Sequence, residues 1–231
     1  MSKLNKSILI AALVLLADQI LKFWVKTNMT LGQEYKIIGN WFIIHFVENN
    51  GMAFGFEFGG DYGKIFLSLF RVVAVFGIGW YIRKLVKKDM PMGFIACVSL
   101  IFAGAIGNII DSAFYGLIFN DSYGQVSRIF PEGGGYATFL HGRVVDMFYF
   151  PLFSGVYPEW IPFVGGSDFQ FFRPVFNIAD SSISIGIFSI IFLYRKQFNH
   201  LDLKEETAHP DESHPDEEPK IIAADNESKE I

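Results

Sequence analysis

A chain of 231 residues with a net charge of −5, one cysteine and 51% hydrophobic content excludes a disulfide framework, a thiolate metal cage and a basic nucleic-acid surface. The charge is unevenly placed: Asp202 to Ile231 carries eleven acidic residues and three lysines, a balance of −8, which leaves +3 on the first 201 residues. The apolar content is therefore concentrated upstream of a polar tail, which predicts an integral membrane protein rather than a soluble core.

In chain order, the first apolar stretch follows Lys3 and Lys6 and has the outline of a cleavable signal peptide. It is too long for one, lacks a small-residue cleavage site and contains Asp18, Gln19 and Lys22, so it reads as a retained helix. A bilayer core of about 30 Å needs roughly 20 helical residues. Four segments meet that need, at about 7–25, 64–82, 93–117 and 174–194, with Pro174 suited to a first helical turn. Lys3 and Lys6, the group Arg83, Lys84, Lys87 and Lys88, and the pair Arg195 and Lys196 all fall on one side of such a four-span chain. That side is expected to be cytoplasmic, with both termini on it. Residues 1–200 then form one transmembrane domain, with outer segments at about 26–63 and 118–173, and residues 201–231 form a disordered acidic cytoplasmic tail.

The outer segments are aromatic and partly strand-like. The run from Trp41 to Val47 is rich in β-formers and ends in the turn-forming sequence Glu48-Asn49-Asn50-Gly51. Aromatic and proline residues crowd the stretch from Phe148 to Phe163, a composition that favours the headgroup layer. In the tail, the two similar runs beginning at His209 and His214 read as solvated chain rather than as a metal site.

Ionisable groups inside or beside the spans are the sharpest signals, since a charge at mid-membrane costs about 2.5–3.5 kcal/mol on insertion scales. Asp18 and Lys22 are four residues apart and share a helix face, as an internal ion pair would. Gly104, Gly107, Asn108 and Asp111 form one helical stripe of small and polar residues. Asn177 and Asp180 share a face at the start of the last span, where an acid is also favoured electrostatically. Asp146 lies among apolar neighbours three residues after Arg143, with which it could simply pair. Asp146 and Asp180 flank one outer loop and could instead converge on a shared water. Two carboxyls so placed cannot both ionise easily, so one is a candidate base and the other a candidate acid for peptide hydrolysis.

Five stretches then carry a family resemblance: Asp18-Gln19-Ile20-Leu21-Lys22, Asn49 to Gly55, Gly104 to Asp111, Val144-Val145-Asp146, and Phe176-Asn177-Ile178-Ala179-Asp180. In this order they resemble the lipoprotein signal peptidases (signal peptidase II), bacterial intramembrane aspartyl proteases, over about residues 7–195. The resemblance implies a mainly α membrane fold, a four-helix transmembrane bundle with a small outer-face β-cradle from about residues 30–60, in the bacterial inner membrane. It implies diacylated prolipoprotein substrates cut before the lipid-modified cysteine, contact with membrane lipids, and inhibition by globomycin-type peptides. It assigns Asp146 and Asp180 as catalytic, and Asp18, Lys22, Asn49, Gly51, Asn108, Asp111, Arg143 and Asn177 as substrate-binding or site-organising. No metal and no cofactor are expected.

Two departures stand out. Where the family usually has arginine after the helix-three aspartate, this chain has Ser112, so Arg71 or Arg143 is expected to supply the charge. The outer segment from about 120 to 141 and the acidic tail have no counterpart in the family pattern. A small proton-coupled transporter is the alternative, disfavoured because the acids sit near one face and no inverted repeat is evident. A non-catalytic scaffold predicts that Asp146→Asn and Asp180→Asn leave function intact.

Overall fold

The structure, a computed structural model, describes residues 1–50 and 60–197. Long apolar runs without interior proline give four long helices among these residues. α1 spans Lys3–Asn28 and opens on Ser2, whose Oγ accepts the Asn5 N–H at 3.1 Å. α2 spans Gly60–Lys87. α3 spans Met92–Ile110 and continues through a π-helical turn, Asp111–Tyr115, to Gly116–Ile118. α4 spans Ile178–Leu193. α1 and the extended α3, each with mean hydropathy 2.1, are long and apolar enough to cross a membrane, whereas α4 is a shorter apolar helix. These helices belong to one unit, Met1–Leu193; the predicted acidic tail lies outside the described residues.

Small residues set the helix contacts. A Cβ on Gly104 would collide with the backbone of Ala179 and lie 2.6 Å from Ile183 and Ser182 side-chain atoms, and one on Gly186 would meet the Cys97 carbonyl at 2.6 Å. The absence of side chains there lets α3 and α4 touch along their length. α1 is joined to α3 by the buried Ser7–Ser99 hydroxyl pair at 2.6 Å. Lys3 binds Asp89 at 2.7 Å, so the start of α1 and the α2–α3 link share one end of the helices.

At the other end lies a four-stranded antiparallel sheet in the order β1 (Glu34–Ile38), β2 (Phe42–Asn49), β3 (Val144–Tyr149), β6 (Val175–Phe176). The β-cradle expected from residues 30–60 is therefore built equally from the second outer segment. The last helix also starts later than predicted. Pro174 does not open it, because Val175 and Phe176 pair with Tyr149 and Phe148, and helical geometry begins only after Asn177. Long-range strand pairing overrides the local proline signal. β4 (Phe153–Val156) and β5 (Asp168–Phe171) form a separate hairpin.

The sheet is held on the helix ends by a buried apolar cluster that includes Val25 and Met29 of α1, Ile44 and Phe46 of β2, Val145 and Met147 of β3, and Tyr115 and Phe119 after α3. The outer segment missing from the family pattern hangs from the π-helical region. Carbonyls of Ser112 and Gly116 accept the N–H groups of Gly142 at 2.8 Å and Ala137 at 2.9 Å.

Candidate active site

Asp146 sits mid-strand in β3 and is 3% exposed. Its Oδ1 accepts from Asn177 Nδ2 at 2.7 Å, and its Oδ2 accepts from Asn49 Nδ2 at the end of β2. Asp180 stands in the first turn of α4, where its backbone N–H is capped by Asn177 Oδ1 at 2.8 Å. Asp180 Oδ1 accepts from Asn108 Nδ2 of α3 at 2.8 Å. Asn177 Nδ2 also reaches Asn108 Oδ1 at 3.2 Å, which closes a circuit from one carboxyl to the other through two amides. Burial, then the neighbouring charge of Asp180, pushes the Asp146 carboxyl up to about 8, against the opposing effects of Lys22 and the Asn49 hydrogen bond. The Asp146 carboxyl thus keeps its proton at neutral pH.

A buried ionic layer supports this circuit. Lys22 Nζ binds Asp18 at 2.9 Å, Asp111 at 2.8 Å and Asn108 Oδ1 at 3.0 Å. The expected Asp18–Lys22 pair is present and gains Asp111 as a third member. Each carboxylate also fastens the backbone next to one of the acids above. Asp18 Oδ1 accepts the Ala179 N–H at 2.9 Å, and Asp111 Oδ2 accepts the Val145 N–H at 3.2 Å. Gly107 leaves room for this layer, since a Cβ there would lie 2.8 Å from Asp18 Oδ2.

Arg143 does not pair with Asp146. Its guanidinium binds Glu48 at 3.1 Å and Asp121 at 3.3 Å and stacks over Tyr136, a partner set supplied largely by the outer segment. Ser112 is buried and donates to the Asn108 carbonyl at 3.1 Å, so it offers no charge. Arg71 of α2 is the cation that interacts electrostatically with both Asp180 and Asp146. Gly51 lies outside the described residues.

Sequence reasoning missed Lys26 and Glu48. Lys26 is fully buried, paired with Glu48, hydrogen-bonded to Ser122 at 2.8 Å, and faced by the Phe46, Phe119 and Tyr136 rings. The available signal was the i, i+4 series Asp18, Lys22, Lys26, which marks one continuous polar face of α1. Glu48 and Asn49 are neighbours in β2, so one anchors the outer segment while the other serves Asp146.

Comparison with known proteins identifies the family. The profile described as signal peptidase (SPase) II matches residues 10–195. A lipoprotein signal peptidase of Porphyromonas gingivalis is 55% identical over 198 residues, covering 84% of this chain and 86% of that protein. One from Amoebophilus asiaticus is 40% identical over 185 residues, covering 79% and 74%. Two solved structures of bacterial membrane enzymes superpose with TM-scores of 0.55 and 0.52 at 25% and 28% identity. They cover 92% and 81% of this chain, and 95% and 90% of their own. On these matches the chain belongs to the signal peptidase II family.

Proposed function

We propose that this chain is an aspartic endopeptidase of the membrane that removes the signal peptide from diacylglyceryl-modified prolipoproteins, cutting before the lipid-modified cysteine, with Asp146 and Asp180 as the catalytic pair. Family membership carries the removal of signal peptides from prolipoproteins. The aspartic chemistry rests on one observation: two carboxyls from different elements share a hydrogen-bond circuit through Asn108 and Asn177, and their charges oppose each other.

In the proposed reaction the ionised carboxyl takes a proton from water as its oxygen attacks the scissile carbonyl carbon. The protonated carboxyl donates to the carbonyl oxygen, giving a neutral gem-diol. Collapse of that intermediate breaks the C–N bond as one of its hydroxyls returns a proton to the ionised carboxyl and the other carboxyl gives its proton to the leaving nitrogen, which restores the pair. Asn49, Asn108 and Asn177 hold the two carboxyls in place, and Arg71, which interacts electrostatically with both acids, is proposed to supply the positive charge that Ser112 does not. Asp18, Lys22 and Asp111 fix the backbone beside each acid. Arg143 organises the outer segment and bears on the site only through Glu48. Globomycin-type peptides would compete at the acid pair.

All four helices are proposed to cross the inner membrane, with the sheet and acid pair at the outer face and both termini in the cytoplasm. The pairing of Lys3 with the α2–α3 link supports this, since it places two of the basic clusters at one end. The test is reconstitution with a diacylated precursor. Asp146→Asn and Asp180→Asn should each lower cleavage by about 10²–10⁴-fold, the usual contribution of a positioned acid or base. Near-normal cleavage by either folded variant overturns the assignment.

A further inference from the structure

We infer that the tip of the β4–β5 hairpin is a lipid-inserting anchor, which seats the acid pair at a fixed height against the outer leaflet. Among the described residues the hairpin's strands pair with each other and with no other strand. A lone two-stranded ribbon is marginal in water and calls for a further surface. One face stacks on itself, with Phe153 over Phe171 at 4.6 Å and Tyr157 near Phe169 at 4.9 Å. The tip has no such partner: Trp160 is 81% exposed and Phe163 fully so.

Three features of this tip point to lipid. First, part of its backbone is paired from within, which lowers the cost of apolar surroundings. Tyr157 N–H donates to Ser167 at 2.9 Å, and Ile161, Gly165 and Gly166 donate to Pro158, Ile161 and Tyr157 at 3.1, 2.9 and 2.9 Å. Second, Phe163 holds a left-handed backbone at φ 71°, a conformation disfavoured for an aromatic residue, and it projects its ring away from the protein. Third, Leu152 to Phe172 contains no Lys, Arg or His and two acids, Glu159 and Asp168. That charge balance fits uncharged acyl and glycerol layers under zwitterionic headgroups and disfavours an anionic surface. Trp and Phe at such a tip match the interfacial belt of membrane proteins.

The anchor bears on the active site through both of its stems. The hairpin leaves β3, which carries Asp146, and returns through β6 to the helix that carries Asp180. This inference rests on the sidedness proposed above, so the experiment separates the two. Cys97, the sole cysteine, is replaced by alanine, and Phe163→Cys is labelled with an environment-sensitive fluorophore in phosphatidylcholine vesicles. Quenching by a nitroxide on the lipid acyl chain should exceed quenching by aqueous iodide severalfold, with or without precursor present. Trp160→Cys repeats the measurement on a second position should the first variant fold poorly. Equal or stronger quenching by iodide overturns the anchor, as does shielding that arises only when precursor is added, which would make the tip a peptide-binding surface. Sidedness fails separately, if an impermeant thiol reagent reaches position 163 only from the side that carries Lys87.

Discussion

At the scale of single residues, the raised Asp146 carboxyl has consequences for both rate and stability. Its ordinary value is 3.8, and in the fold it retains its proton up to about 8. Between these values the unfolded chain releases a proton that the folded chain keeps. The native state therefore loses stability as pH rises through that window, and the loss is absent below the unfolded value. The thermal midpoint of Asp146→Asn in detergent should consequently gain on the wild type between pH 5 and 7.5; a constant difference would contradict the shift. Cleavage should decline above about pH 8, as Asp146 gives up its proton. Much of this residue-scale picture was legible in the sequence. Spacing alone placed Asp18 with Lys22 and Asn108 with Asp111. The placing of Asp146 near Asp180 was not local information, and the alternative in which Asp146 simply pairs with Arg143 is not what is seen, since that guanidinium binds Glu48 and Asp121.

At the scale of elements, two contacts carry the argument. Gly104→Ala would press a methyl group into Ala179 and Ile183, and should cost about 1–3 kcal/mol by overpacking, read as a lower unfolding midpoint. No change would mean that α3 and α4 are less closely apposed than described. The Lys26–Glu48 pair is the second contact. Removing Lys26 alone leaves the buried Glu48 carboxylate with Arg143 as its remaining cation and should cost up to about 3–5 kcal/mol, whereas Lys26→Met combined with Glu48→Leu, which leaves Arg143 its Asp121 partner, should cost clearly less. Additive losses in that double-mutant cycle would show that the two are not coupled. This pair escaped sequence reasoning for a physical reason. A lysine ending an apolar helix has the pattern of an ordinary membrane-flanking charge, and its partners lie 22 and 96 residues away. The late start of α4 escaped for a related reason, since the pairing of Val175 and Phe176 with β3 depends on a strand some 27 residues upstream.

At the scale of the whole molecule, the hydropathy pattern and the shared end of Lys3 and Asp89 support one orientation. Single cysteines placed at Lys87 and at Glu132 should react with impermeant thiol reagents from opposite sides of sealed vesicles, and labelling from the same side would refute four crossings. The π-helical turn at Asp111–Tyr115 bears on this larger assembly too. Such a turn accommodates one more residue than a regular helical turn, and each residue of an α-helix advances the face by about 100°. Deleting Ala113 would remove the surplus residue and leave the phase of the helix end nearly unchanged, whereas winding the same residues with ordinary α geometry would swing everything beyond them by roughly that angle. The carbonyls of Ser112 and Gly116 would then point away from Gly142 and Ala137. The wide turn thus acts as the phase setting of the helix end, keeping it directed toward the outer segment it suspends.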